Sequence, residues 1–233
     1  MNINKKDKKN YKYLDIAYSN KEKPITDYPE KLIKHILGFT NFDLTDAKSV
    51  KVLDVGCGRG DQMKVFQKFN FDTHGLDIEF NSGQEIKNLS ICDFRSNKMP
   101  YKDETFDIIF CKSVIEHLYL KEIENLMLEK KRILKKNGYL IILTPAWEYN
   151  VKNFYTEYSH VTPFTKRSLE HCVKSYSFKN VEVKYLIQLP FVWKFPFTKV
   201  FCDFINLLSL PRKFGKITRW SQERMLLCVA QKL

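Results

Sequence analysis

The stretch VLDVGCGRGDQ, residues 52–62, runs from an apolar segment directly into three glycines at alternate positions. Only eight glycines occur in 233 residues, so this clustering marks a place where the main chain itself makes the contacts. Glycine adopts positive φ without steric cost and lets a ligand approach the backbone closely, while a helix that follows presents its first N–H groups as donors. A strand ending in such a turn builds a ligand cleft at the carboxyl edge of a parallel sheet. Spacing then selects the ligand. A dinucleotide fingerprint G-x-G-x-x-G begun at Gly56 and Gly58 demands glycine where Asp61 stands, and the third glycine comes one residue early, at Gly60. No G-K-[ST] follows, which excludes a phosphate P-loop.

The rest of the chain supplies the sheet that such a loop needs. Apolar runs suited to buried parallel strands fall at 50–56, 71–77, 89–94, 105–113 and 138–145, and helical segments alternate with them. That order predicts a doubly wound α/β fold. In the segment 116–138, Leu118, Ile123, Leu126, Met127, Ile133 and Leu134 approximate one apolar stripe, and the helix they predict stops at Gly138 behind Lys135 and Lys136. A further helix is expected over 165–176, a strand over 179–189 and a closing strand over 224–233. No repeat and no Gly/Ser linker divides the chain, so a single domain is expected.

Composition narrows the setting. Hydrophobic residues at 44% and charged residues at 28% suit a soluble globular domain. The basic opening MNINKKDKKNYK has no apolar stretch behind it, so neither a secretory leader nor a membrane anchor is expected, and a cytoplasmic location is. The six cysteines, Cys57, Cys92, Cys111, Cys172, Cys202 and Cys228, show no CxxC spacing and read as reduced, buried thiols. The formal net charge is +12, but its cations are dispersed over the N-terminal tail, 129–136 and 211–219. A solvated basic surface is the preferred reading over a nucleic-acid face.

The order D-x-G-x-G-x-G, beginning at Asp54, resembles motif I of class I S-adenosylmethionine-dependent methyltransferases, and the likeness extends over about 50–186 and into the final strand. THGLD ends at Asp77, where that family places an acid for the ribose hydroxyls; ICDF puts Asp93 where the family has an acid near the adenine amino group. FDIIFCKSVIEHL and LKKNGYLIILTP are similar to the fourth-strand turn and fifth-strand entry of small-molecule members, including quinone-biosynthesis and sugar methyltransferases. The resemblance implies a Rossmann-like seven-stranded sheet, mainly parallel with the last strand antiparallel. It also implies a basic tail and lid helices over 1–45, a methyltransferase domain over 46–233, and an aromatic-rich insertion at about 190–220. The implied cofactor is S-adenosyl-L-methionine, held at the loop by Asp54, Gly56, Cys57, Gly58 and Gly60. Asp77 and Ile78, Asp93 and Phe94, and Lys112 and Ser113 complete the implied cofactor site. Elementary electrostatics agrees, because a ligand with a sulfonium, an ammonium and no phosphate tolerates carboxylates where a pyrophosphate would be repelled. The connection 78–88 is short, so the usual helix there must be stunted or replaced by a loop.

Methyl transfer needs mainly orientation, with a base only where the acceptor must lose a proton. Candidates therefore come from the loops after the fourth and fifth strands. SVIEHL supplies Glu116 and His117, an acid–histidine pair that relatives place near the methyl-transfer centre; Ser113 replaces the earlier acid of a metal-binding variant, and no metal is expected. The long segment 144–169 contains SHVTPFTKRSL, which resembles an H-x-x-x-F-T-x-x-S-L pattern of small-molecule members. Trp147, Tyr155, Tyr158 and His160 are candidates for the acceptor wall, and His160 for the base, although a histidine there serves equally as a helix cap. The segment 13–24, with Tyr18, is a candidate lid.

Residues 190–214 are apolar and aromatic but interrupted by Lys194, Lys199 and Asp203, which argues against spanning a bilayer. They are read first as cover for the acceptor pocket or a dimer contact, and second as a helix lying in a membrane interface. The expected activity is methylation of an oxygen of a small molecule such as a sugar, phenol or lipid precursor. A nucleic-acid methyltransferase is the alternative that the charge allows, yet the signature [DNS]-P-P-[FYW] is absent where CKSV stands. A catalytically silent subunit that holds the cofactor for a partner is the third reading.

Overall fold

The structure is a computed structural model and describes residues 26–42, 44–79, 87–208 and 215–233. The candidate lid with Tyr18, most of the connection 78–88 and part of the insertion lie outside the described residues. Seven strands form one sheet: β1 (Lys51–Val55), β2 (Asp72–Asp77), β3 (Leu89–Ile91), β4 (Phe106–Lys112), β5 (Leu134–Pro145), β6 (Phe178–Ile187) and β7 (Arg224–Lys232). Their order across the sheet is β3-β2-β1-β4-β5-β7-β6. The first five run parallel, and β7 lies antiparallel between β5 and β6. The strand order reverses between β1 and β4, and ligand crevices form at such a switch point.

Helices cover both faces, which is why the central strands are apolar nearly throughout. On one face α1 (Tyr28–Leu37) and α2 (Asp61–Lys68) pack their Leu32, Ile33, Ile36 and Phe66 against Val52, Phe110, Ile141 and Leu227. Burying each such side chain stabilises the domain by about 2 kcal/mol, so α1 belongs to the core. On the other face α3 (Leu120–Ile133) and α5 (Lys166–Ser175) bury Ile123, Leu126, Leu169 and Val173 against Leu53, Ile109 and Leu140. Two short helices bracket these parts: α4 (Trp147–Asn150) follows β5, and α6 (Pro190–Lys194) follows β6. Between α6 and β7 come α7 (Lys199–Leu207) and α8 (Lys216–Gln222). All six cysteines are free thiols.

Three boundaries differ from the sequence expectation. The helix expected to run to Gly138 ends at Ile133, because Leu134 turns extended, pairs with Phe106 and is fully buried as the first residue of β5. Lys135 is then no helix-terminal cation; its ammonium bridges both carboxylate oxygens of Asp107 at 2.8 and 2.9 Å. Gly138 sits inside the strand, where an added Cβ would meet the carbonyls of Asp107 and Lys135 at 2.9 Å each. The start of the same segment is not helical either: Ile115–His117 form a single 3-10 turn, and the chain extends at Leu118 before α3 begins. β3 stops at Ile91 rather than at residue 94, and Phe94 folds inward to become a core residue.

Candidate active site

The glycine loop joins β1 to α2, and all three of its glycines have positive φ: 71° at Gly56, 53° at Gly58 and 72° at Gly60. The Gly56 N–H donates to the Leu76 carbonyl of β2 at 2.7 Å, and the Gly60 N–H donates within the turn to the Cys57 carbonyl at 2.8 Å. A Cβ on Gly56 would lie 2.2 Å from Cγ2 of Val114, so the turn after β4 requires glycine there. At Gly58 nothing lies within 4 Å of the same added atom, which leaves the rim of the loop open to a ligand. Cys57 is buried beneath it, and burial together with the Asp54 and Asp77 charges pushes its thiol far up, keeping it neutral.

Two carboxylates lie below this rim. Asp54 is 2% exposed, and its Oδ2 has no hydrogen-bond partner among the described residues. Burial pushes its carboxyl up to about 7, Asp77 adds to the shift, and Lys112 opposes it. Asp77 ends β2 and accepts from the Gly58 N–H on Oδ2 and from the Ile78 N–H on Oδ1, both at 2.7 Å. Burial raises its carboxyl as well, against those N–H bonds. The Glu79 N–H also bonds this carboxylate, so of its roughly four acceptor sites about one is left for a ligand hydroxyl. A buried carboxylate with an orphaned oxygen, beside a second acid and an open glycine rim, fits a cationic ligand that carries a ribose. It does not fit a phosphate.

The other implied cofactor residues are less uniform. Ile78 is partly exposed beside Asp77. Lys112 ends β4 and its charge favours the ionised forms of Asp54 and Glu116. Ser113 follows at φ 57° and donates its N–H to the Leu143 carbonyl at 2.8 Å. Asp93 lies past the end of β3, but its two oxygens take the Arg95 guanidinium at 2.7 and 2.8 Å, and that pair holds its carboxyl below the usual range. Phe94 is buried in the core and offers only its backbone carbonyl, which accepts from Asn125.

On the acceptor side, the turn after β4 and the loop after β5 are tied together through one residue. The Glu116 carbonyl accepts the N–H groups of Val161 and Thr162 at 2.9 and 3.0 Å. Its side chain is fully buried; Oε2 accepts from the Thr144 hydroxyl at 2.9 Å, whereas Oε1 has no partner among the described residues. Burial pushes this carboxyl up to about 7. His117 and His160 meet edge to face with ring centroids 4.7 Å apart. His160 Nδ1 lies 2.7 Å from the Phe154 carbonyl and His117 Nδ1 lies 3.3 Å from that of Ser159. A carbonyl only accepts, so in each ring Nδ1 carries the proton and Nε2 is the proton-accepting nitrogen. Burial, aided by His160, pulls His117 down to about 4 and keeps it neutral.

One donor atom from each of Glu116, His117 and His160 lies within 4.8 Å of the others. This brings together the three residues nominated for catalysis. It also supplies a third donor from the far loop that the expectation of no metal, argued from Ser113 alone, did not count. Of the expected acceptor wall, Trp147 begins α4 and is half-buried, whereas Tyr155 and Tyr158 are 61% and 76% exposed. Reading along the chain missed Thr144. Its signal was a threonine hydroxyl at the end of the aliphatic run LIIL, a polar group that burial obliges to find a partner.

Comparison with known proteins agrees with this geometry. A family model described as a methyltransferase domain matches residues 25–183. An uncharacterised protein of Methanocaldococcus jannaschii is 33% identical over 129 residues, 54% of either chain. A ubiquinone biosynthesis O-methyltransferase of Pelagibacter ubique is 30% identical over 104 residues, 42% of either chain. The chain thus spans about half the length of the curated relatives it matches. A solved structure of a SAM-dependent methyltransferase from Archaeoglobus fulgidus shares the fold at TM-score 0.60 and 19% identity, over 87% of this chain and 94% of that one. With the glycine loop, the acids beneath it and the strand order in agreement, the chain belongs to the class I S-adenosylmethionine-dependent methyltransferase family.

Proposed function

We propose that the protein transfers a methyl group from S-adenosylmethionine to an oxygen of a small molecule such as a sugar, a phenol or a lipid precursor. One observation carries the cofactor half of this reading: the buried Asp54 and Asp77 carboxylates lie under a loop of three positive-φ glycines. When bound, the cofactor offers a methyl group on a cationic sulfur to a nucleophile aligned behind it. Asp54 supplies negative potential beneath the loop, Asp77 accepts from a ribose hydroxyl, and the Gly58 rim admits the ligand at backbone distance.

The oxygen half rests on Glu116, His117 and His160. An alcohol or phenol must lose its proton as it attacks, and Nε2 of a neutral histidine accepts one. His160 lies on the loop expected to wall the acceptor, with its Nδ1 anchored on the Phe154 carbonyl, so its Nε2 is the proposed proton acceptor. The His117 ring packs against it and Glu116, held by Thr144, fixes the loop through its carbonyl. The relative named for ubiquinone biosynthesis is an O-methyltransferase, which supports the choice of oxygen.

Calorimetry tests the first half: the protein binds S-adenosylmethionine and S-adenosylhomocysteine, Asp77→Ala weakens both, and NAD gives no heat. Silence toward both adenosyl ligands sinks the proposal. Transfer of labelled methyl to a panel of sugars, phenols, lipids and RNA then tests the acceptor, with EDTA in a parallel arm. Labelling of RNA alone would replace the small-molecule reading, and activity abolished by EDTA would assign Glu116, His117 and His160 to a metal ion.

A further inference from the structure

The insertion between β6 and β7 is seated by its inner side. Cys202 of α7 is buried with Leu189 and Val192, Trp220 of α8 packs on the same cluster, and Ile205 of α7 is buried as well. Trp193 donates its indole N–H to the Ile187 carbonyl and stacks on His35 at 4.6 Å. Arg224, buried at the start of β7, pairs with Asp203 of α7 and lays its guanidinium 4.2 Å from the Tyr149 ring centroid beside the loop after β5. These contacts fix which side of α7 faces outward.

That outer side is apolar. Phe195, Phe197, Val200, Phe201, Phe204 and Leu207 are all exposed, with Phe197 at 76% and Leu207 at 78%. On α7 the positions 200, 201, 204 and 207 form one helical stripe, and Phe195 and Phe197 extend it toward α6. A contiguous exposed apolar patch of this kind marks a surface with an occupant. The exposed aromatics of this stripe face away from the core.

Charge selects the occupant. Residues 188–223, the whole insertion, hold six cations (Lys194, Lys199, Arg212, Lys213, Lys216, Arg219) against two acids, Asp203, which pairs with Lys199, and Glu223, which pairs with Arg219. A second copy placed symmetrically on this face would bring like charge against like. Nucleic acid would use the cations and stack on isolated rings, but Val200 and Leu207 offer it nothing. No helix among the described residues is long and apolar enough to cross a membrane. A short helix with aromatic and aliphatic side chains on its exposed face, in a segment whose sequence carries a surplus of cations, matches the acyl–headgroup boundary of a negatively charged leaflet.

We propose that the outer face of α7, with Phe195 and Phe197, docks the protein on an anionic lipid bilayer. This goes beyond the methyl-transfer reading and does not depend on it. The test uses the full chain in flotation with vesicles of phosphatidylcholine alone and of phosphatidylcholine and phosphatidylglycerol in equal parts. Binding to the mixed vesicles should exceed binding to the neutral ones by about tenfold or more, and should weaken as salt is raised. The variant Phe197→Ser/Phe201→Ser/Phe204→Ser, confined to exposed side chains, should lose about tenfold or more of that binding while keeping its melting temperature and its S-adenosylhomocysteine affinity. Asp77→Ala should float like the parent, so failure here and failure of the cofactor site read out separately. No binding to the mixed vesicles, or equal binding by the serine variant, overturns the proposal. So does a dimer in sedimentation velocity that the serine variant dissolves, or retention of random-sequence RNA by a protein that ignores vesicles.

Discussion

The two halves of the carboxyl edge are built by different means. Around β1 and β2 the site is held by main chain: glycine dihedrals, N–H groups on Asp77, and an acid inside the strand. Around β4 and β5 it is held by side chains that meet across 28 to 44 residues of chain, Thr144 on Glu116 and Thr162 on the Leu118 carbonyl. The first arrangement is a fixed cradle of main chain. The second is assembled from loops, where a change of acceptor requires only a change of loop.

This contrast predicts separable damage. His160→Ala should lower methyl transfer by roughly 10²- to 10⁴-fold, the usual worth of a general base, and leave S-adenosylhomocysteine affinity unchanged in calorimetry. If cofactor affinity falls with it, the two halves are one unit and the contrast fails. Asp77→Ala, conversely, removes an acceptor of charge-assisted hydrogen bonds worth about 1.5–3 kcal/mol each, so cofactor affinity should fall by roughly one to two orders of magnitude. Gly56→Ala should do comparable harm, since its methyl would sit 2.2 Å from Val114 at a φ of 71°. A variant that binds as well as the parent would show that the turn relaxes.

The pH dependence sharpens the first half. Asp54 titrates at about 7, above the ordinary carboxylate value of 3.8, so the folded protein holds this proton more tightly than the unfolded chain. Its contribution to stability is therefore full below 3.8 and is lost as pH rises through about 7. A cation bound nearby lowers that value and expels the proton. Affinity for S-adenosylmethionine should rise by up to about tenfold per pH unit below neutrality and then level off. Asp54→Asn should flatten the profile and remove proton release measured calorimetrically in buffers of different ionisation enthalpy; an unchanged slope would assign the titration elsewhere. The smallest effect is expected at Thr144→Val, which leaves both Glu116 oxygens unpartnered and should cost about 1–3 kcal/mol in urea unfolding. A neutral result there would mean that Thr144 does not support the acceptor side.

The same contrast explains what was legible in the sequence. The glycine loop, Asp54, Asp77 and the run of β1, β2 and β4 follow from local rules: positive φ, strand length and apolar continuity. The meeting of His160 with His117 does not, because it depends on how the loop after β5 folds back over the turn after β4. The end of α3 was misread for a related reason: helix propensity continues through Lys135 and Lys136, but pairing of Leu134 with Phe106 captures the chain first. The insertion was ambiguous because aromatics stand on both sides of it. Only the seating of Cys202, Ile205 and Trp220 decides which side faces out.

The position of β7 has a consequence for how the molecule is made. It pairs with β5 from Tyr139 to Pro145 and with β6 from Phe178 to Ile187, so a strand that is made after both of them sits between the two. Until it arrives, the nascent chain exposes the open edge of β5 and an unmatched β6, both of which invite pairing with other chains. A stop anywhere before Arg224 therefore removes more than one strand: it leaves β6 with no neighbour, strands the insertion without its Arg224 anchor, and turns a finished sheet into a template for aggregation.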